Sequence, residues 1–431
     1  MKKLFVIAAL LSSTIAFAQE EKPAHFKLYG FIRNYLTADT REVTAGTQDL
    51  YFYMPKDISL NGEGVDMNSN FNWRYLSLTT RLGLDVSGYH IGSTAISGKV
   101  EADFYSLNGT ASSNTIAQLR LRQAFIKLSW GCAAGFDNIS LTLGQAWHPM
   151  AVDMPHMTNL ETGAPFNPFS RTPQIMADFQ VGGLVITASL MYLNHYLPVG
   201  PNGKSVEYYK YGLPEAYIGL AYINPAVTLK AGVDIVNSRP YRTMSKGDDT
   251  VVAHGFMTAI SPFLYVQYTT PNKMFQLRAK TILAQSGEQM NLLSGYGVAK
   301  LDWENATYTY TPMRDWASFL SFQWGKKFQV MAMAGYMKQL GTTQQLMDPE
   351  NGFWTNTAGG KDAAGQCAVQ QAFRVTPTIA WNIGKFTVSL EYNYTRAQFG
   401  DKGEKRGDWG LYEKTHWADN HRFICMTKFT F

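Results

Sequence analysis

The chain has 431 residues, of which 45% are hydrophobic, 14% aromatic and only 16% charged, with a formal net charge of +5. A soluble domain usually carries about one quarter charged residues, and so small a positive excess argues against a nucleic-acid or strongly acidic partner. The three cysteines, Cys132, Cys367 and Cys425, allow at most one disulfide and make no C-x-x-C metal or redox spacing.

Residues 1–18 have the layout of a secretory leader: a basic start at Lys2-Lys3, an apolar run from Leu4 to Leu11, and Ala16-Phe17-Ala18 as an A-x-A cleavage site. The run is too short to cross a bilayer as a helix, and no second long apolar stretch follows. The mature chain is therefore expected to be a single domain over 19–431, with net charge +3 once Lys2 and Lys3 are removed.

Beyond the leader, short segments alternate in polarity from end to end. In 76–86, Leu76, Leu78, Leu82, Leu84 and Val86 share one face while Ser77, Thr79, Arg81 and Asp85 share the other; in 96–104, Ile96, Val100, Ala102 and Phe104 oppose Ser97, Lys99, Glu101 and Asp103. Alternation also occurs in soluble sandwiches, so the connections carry the distinction. Short ones (Gly88-Tyr89-His90, Gly182-Gly183, Asn224-Pro225, Pro271-Asn272, Lys326-Lys327, Gly384-Lys385) are interspersed with long ones near 39–72, 148–172, 194–213, 238–253, 286–312, 341–368 and 400–418. Short turns at one end and long loops at the other are the pattern of an outer-membrane barrel.

The segments number about sixteen: 26–37, 73–87, 93–106, 117–130, 138–147, 173–181, 184–193, 214–223, 226–237, 255–269, 274–285, 314–325, 328–339, 370–383, 386–399 and 419–431. The fold expected is all-β, a transmembrane antiparallel β-barrel in the bacterial outer membrane, with an even strand count. Trp73, Tyr75, Trp130, Trp316, Trp324, Trp381 and Trp417 fall near strand ends, as interfacial girdles do. The last segment ends with Phe423, Phe429 and Phe431 on one face, which resembles the terminal signal that barrel assembly machinery reads.

In its layout the mature chain resembles the general bacterial porin superfamily, as a divergent, porin-like branch. The residues that carry the likeness are Leu28-Tyr29-Gly30, Arg81-Leu82-Gly83, Arg122-Gln123-Ala124-Phe125 and Leu141-Thr142-Leu143-Gly144-Gln145. The resemblance implies a homotrimer, with the long loop after the fifth strand folded into the lumen. Here that loop, 148–172, departs from the family's acidic loop, being rich in Pro, His and Met.

The resemblance places Arg33, Arg81, Arg120 and Arg122 on the wall of a constriction, facing Asp153 and Glu161 of the loop, Glu101 and Asp103 of the third strand, and Arg171 at the loop's end. An arginine pointed at lipid near the midplane costs roughly 2–4 kcal/mol, so Arg120 and Arg122 should both face water. That choice puts Leu119, Leu121 and Phe125 outside, but also Gln123 and Lys127, unless a bulge at Gln123 changes the phase.

The function implied is passive diffusion of ions and small hydrophilic solutes through a water-filled channel. The alternatives are a channel selective for a sugar or organic acid, which a luminal stack of aromatics would mark, and a closed surface barrel whose loops adhere to partners. His148, His156 and Asp153 match no metal-ligand spacing, and no catalytic or nucleotide motif occurs, so neither enzyme activity nor a cofactor is expected.

Overall fold

The computed structural model describes residues 24–46, 50–105, 117–194, 200–201, 210–293, 295–355 and 368–431. The expected leader, 1–18, and Cys367 lie outside them. Cys132 and Cys425 are free thiols.

Sixteen antiparallel strands form one closed ring: His25–Asp39; the second in two pieces, Asn72–Leu76 and Arg81–Ile91; Thr94–Tyr105; Gln118–Ala133; Phe136–Trp147; Arg171–Val181; Leu184–Met191; Glu215–Ile223; Val227–Ser238; Met257–Thr269; Phe275–Gln285; Thr307–Gly325; Phe328–Thr342; Val369–Ile383; Phe386–Gly400; and Thr415–Thr430. The first strand pairs with the second on one side and with the sixteenth on the other, from Phe31↔Thr430 to Asp39↔Arg422, which closes the sheet and leaves the ring no open edge.

Why these residues make a barrel is visible strand by strand. In the tenth, Met257, Ala259, Ser261, Phe263 and Tyr265 are buried while Ile260, Leu264 and Val266 between them are exposed. In the fourteenth, Arg374, Thr376 and Thr378 are buried while Val375, Ile379 and Trp381 are exposed. Apolar side chains therefore cover the outside, the arrangement lipid requires, while the inside mixes polar side chains with an apolar cluster that includes Phe263, Phe319 and Met333.

Seven connections are short and eight are long, and the first strand begins and the last strand ends on the short-turn side. Three sequence expectations shift. Gly88-Tyr89-His90 is a register slip within the second strand, and the turn falls at Gly92-Ser93. An eighth long connection follows the third strand, over 106–117. The connections expected over 238–253 and 286–312 hold a small hairpin, Thr243–Lys246 with Asp249–Val252, and a strand, Tyr296–Asp302, on an extension of the twelfth barrel strand. Of the girdle residues, Trp73, Tyr75, Trp316, Trp324 and Trp381 are exposed, whereas Trp130 is buried.

One glycine of the fifth strand is dictated by close approach. Gly144 has φ +125, and a Cβ there would lie 2.3 Å from the Ala124 carbonyl oxygen. Only glycine meets both conditions.

Candidate functional site

The first four strands bring most of the expected charged residues together. Between Glu101 and Ala102 the register slips, so that Glu101 opposes Gln123 while Ala102 opposes Leu121, and Arg122 is the extra residue of a bulge. Arg120, Arg122 and Gln123 can thus all turn inward while Leu119 and Leu121 stay exposed to lipid. Beyond the bulge the phase inverts. Ile126 is exposed, and Phe125 and Lys127, both expected outside, take the opposite phase; Lys127 lines a pocket with Trp147, Asp178 and Lys230.

The guanidinium of Arg120 grips Asp103 through two bonds, Nε to Oδ1 at 2.9 Å and Nη2 to Oδ2 at 3.0 Å. Arg122 donates from Nε to Glu101 Oε1 at 2.7 Å and from Nη1 to Asp103 Oδ2 at 2.6 Å. Arg81 stands 3.7 Å from Glu101, which also accepts from Gln123 and from the Tyr29 hydroxyl. Such charge-assisted pairs hold the cations in fixed positions. Glu101 and Asp103 are buried beneath the guanidiniums, whereas Arg81 and Arg120 stay partly exposed.

Arg33 and Arg81 both stack near the Phe31 ring, at 4.7 and 5.0 Å, and Lys428 of the last strand lies 5.9 Å from it. Glu161 faces this group, 3.6 Å from Arg33 and 3.7 Å from Lys428, with its side chain half exposed. Dehydration inside the barrel raises the Glu161 pKa. The charges of Arg33, Lys428, Arg81 and Arg122 more than offset that, and the carboxyl sits below the ordinary range.

The segment after the fifth strand meets the inner faces of distant strands. Lys230 of the ninth pairs with Asp153 at 2.9 Å; Arg278 and Lys280 of the eleventh donate to the Met154 and Met150 carbonyls, and Lys280 also to Asn167 Oδ1 at 2.8 Å. Ser321 of the twelfth accepts from the His156 amide, and Arg374 of the fourteenth donates to the Ala164 carbonyl. Glu391 of the fifteenth accepts from the amides of Thr158 and Asn159, and Tyr35 of the first donates to the Thr158 carbonyl. Asp153 therefore belongs to this anchorage and not to the arginine cluster. Arg171 is buried, stacked between Trp147 at 4.8 Å and Phe169 at 5.3 Å. His156 is dehydrated and close to Arg278, which push its pKa down to about 4.

Two further segments reach the same interior. Arg374 and Arg422 donate to carbonyls of Tyr53 and Leu50, and Phe169 donates its amide to the Met290 carbonyl. Arg422 also makes a two-bond grip on Asp39, both bonds 2.8 Å and both partners fully buried. None of Lys230, Arg278, Lys280, Arg374 and Lys428 was singled out from sequence. Each lies on an alternating strand, and inward phase is the one signal that could mark it.

The aromatic stack in the structure, Tyr241 on Tyr308 at 4.3 Å and Tyr308 on Tyr310 at 6.0 Å, packs with Trp354 among the long connections, apart from the arginine cluster. Phe423, Phe429 and Phe431 are exposed on the outside of the last strand.

No protein-family model matches the sequence, and no curated protein matches it. Among solved structures, the outer membrane channel DcaP of Acinetobacter baumannii is 14% identical, with 96% of this chain and 99% of that one covered and a TM-score of 0.63. OmpT of Vibrio cholerae, an outer-membrane protein, is 12% identical over 96% and 99% of the two chains, with a TM-score of 0.52. At such identities the likeness is one of fold: a porin-like, sixteen-stranded outer-membrane barrel.

Proposed function

We propose that the chain is a bacterial outer-membrane channel for passive diffusion of ions and small hydrophilic solutes, with a preference for anions. The observation that carries this reading is the asymmetry of the inner wall along the first four strands and the last. Arg33, Arg81, Arg120, Arg122 and Lys428 outnumber Glu101, Asp103 and Glu161, and two of the three carboxylates lie beneath the guanidiniums. A solute on that side meets Arg81, Arg120, Lys428 and Glu161. Rings of fixed charge at a narrow place set the sign of the ion that passes.

Segment 148–170 serves as the constriction, held against the far wall so that the open path runs beside the arginines. Segments 50–55 and 286–293 fill more of the interior, which favours a narrow, solute-selective channel over a wide general pore. A leader over 1–18, assembly into homotrimers, and recognition of Phe423, Phe429 and Phe431 by barrel assembly machinery complete the proposal.

Purified, folded protein in a planar bilayer is expected to give ohmic steps of small conductance. A barrel that resists protease and heat as folded barrels do, and yet never conducts, would favour a closed surface barrel.

A further inference from the structure

Where the eighth and ninth strands face the start of segment 148–170, a group of polar side chains is fully buried. Glu215 and Asp234 are diagonal neighbours on the inner face, since Tyr217 is the register partner of Asp234. His148 Nε2 stands 3.4 Å from Glu215 Oε1 and 3.5 Å from Asp234 Oδ1, and each of the three offers a ligand atom within 4.8 Å of the others. Gln289, on the turn Glu288–Met290, directs its amide nitrogen at Glu215 Oε1, 3.2 Å, and Asp234 Oδ2, 3.4 Å.

All four side chains are fully buried, and Glu215 Oε2, Asp234 Oδ1 and Gln289 Oε1 have no hydrogen-bond partner. Among the described residues no Lys or Arg forms an ion pair with either carboxylate. Two buried carboxylates that share one imidazole as their only nearby base are costly, and a bound cation removes that cost.

The histidine decides which cation. His148 Nδ1 accepts the Met150 amide proton at 3.1 Å, so the neutral ring carries its own proton on Nε2 and has no lone pair to offer there. Zinc, which favours imidazole nitrogen, is thereby disfavoured, and the donors that remain are oxygens, the ligands of a hard cation. Turning the Gln289 amide about its last torsion exchanges the nitrogen for the carbonyl oxygen at the same place.

We propose that Glu215, Asp234 and the Gln289 carbonyl oxygen bind a hard divalent cation, calcium being the best fit, with His148 donating its Nε2 proton to the carboxylates from outside the ligand set. The ion would tie the eighth and ninth strands to the turn Glu288–Met290 and, through His148, to the root of segment 148–170. This inference does not depend on conduction.

The site is closed, so the test begins from unfolded chain. Full mature protein is refolded in detergent with calcium, with zinc or with EDTA, dialysed, and its metal content and unfolding temperature measured. The expected result is one calcium per chain and a higher unfolding temperature than in EDTA. Terbium in place of calcium should luminesce on excitation of Tyr217, whose ring centroid is 6.3 Å from that of His148. Asp234→Asn and, independently, Gln289→Met should each weaken calcium binding more than about tenfold, while His148→Gln should weaken it less. Three results overturn the proposal: no retained calcium in folded wild type, calcium retained equally by the Asp234 and Gln289 variants, or zinc retained in preference and lost in His148→Gln.

Discussion

Lys280 and Arg120 are both inward-facing cations on the barrel wall, and their surroundings separate two regions of the interior. Lys280 is buried, with its ammonium divided between the Met150 carbonyl and Asn167 Oδ1. Its charge is consumed in fixing segment 148–170, as are those of Lys230, Arg278 and Arg374 on the ninth, eleventh and fourteenth strands. Arg120 is anchored from behind by Asp103 and still partly exposed. An inward-facing cation thus serves as a fastener where loop backbone covers it and as a source of field where water reaches it.

The comparison breaks most readily on the fastened side. Lys280→Ala leaves a carbonyl and an amide oxygen buried without partners, and is expected to cost about 3 kcal/mol. Unfolding by urea in detergent micelles measures it, and an unchanged midpoint would mean that the anchorage contributes nothing.

Acid should then act on that side first. His156 has a folded pKa near 4 against an ordinary 6.5, so the unfolded chain binds the proton more readily. The stability this group contributes is present above pH 6.5 and is lost as pH falls from there toward 4, with stability rising with pH in that window. Glu161, held below its ordinary 4.5, contributes stability present above that value and lost only as pH falls through its lower folded pKa. Midpoints measured between pH 7 and pH 5 should therefore decline in wild type and level out in His156→Gln. A decline of equal slope in that variant would remove His156 from the account.

On the open side, changes should cost less stability. Arg81→Gln combined with Arg120→Gln leaves the buried Glu101 and Asp103 paired with Arg122 and should shift unfolding by less than about 2 kcal/mol. Lys428→Gln, whose contact with Glu161 is 3.7 Å long, should shift it by less than about 0.5 kcal/mol. A loss as large as that expected for Lys280→Ala would erase the distinction between the two regions.

Much of this architecture was legible in the sequence, because lipid outside and water inside impose a period of two on every strand. The sixteen segments matched one for one, and the conflict between Arg122 and Gln123 pointed to the bulge that the structure contains. Arg33, Arg81, Arg120, Arg122, Glu101 and Asp103 meet because neighbouring strands place them side by side, and Glu161 joins them from segment 148–170. The fastened region was hidden for the opposite reason. Its contacts join residues far apart in the chain, such as Thr158 with Glu391 and Asp153 with Lys230, and no local pattern encodes them. Asp153 was accordingly placed with the wrong set of cations. Lys127 went outward because one extra residue inverts everything after it.

The direct test of the proposed channel is the reversal potential of single channels under a potassium chloride gradient, for wild type and for Arg81→Gln with Arg120→Gln. Wild type should favour chloride, and the double variant should move toward potassium at unchanged folding. A wild-type preference for potassium, or a reversal potential that ignores the loss of both arginines, would contradict the assignment of this wall as the part that selects.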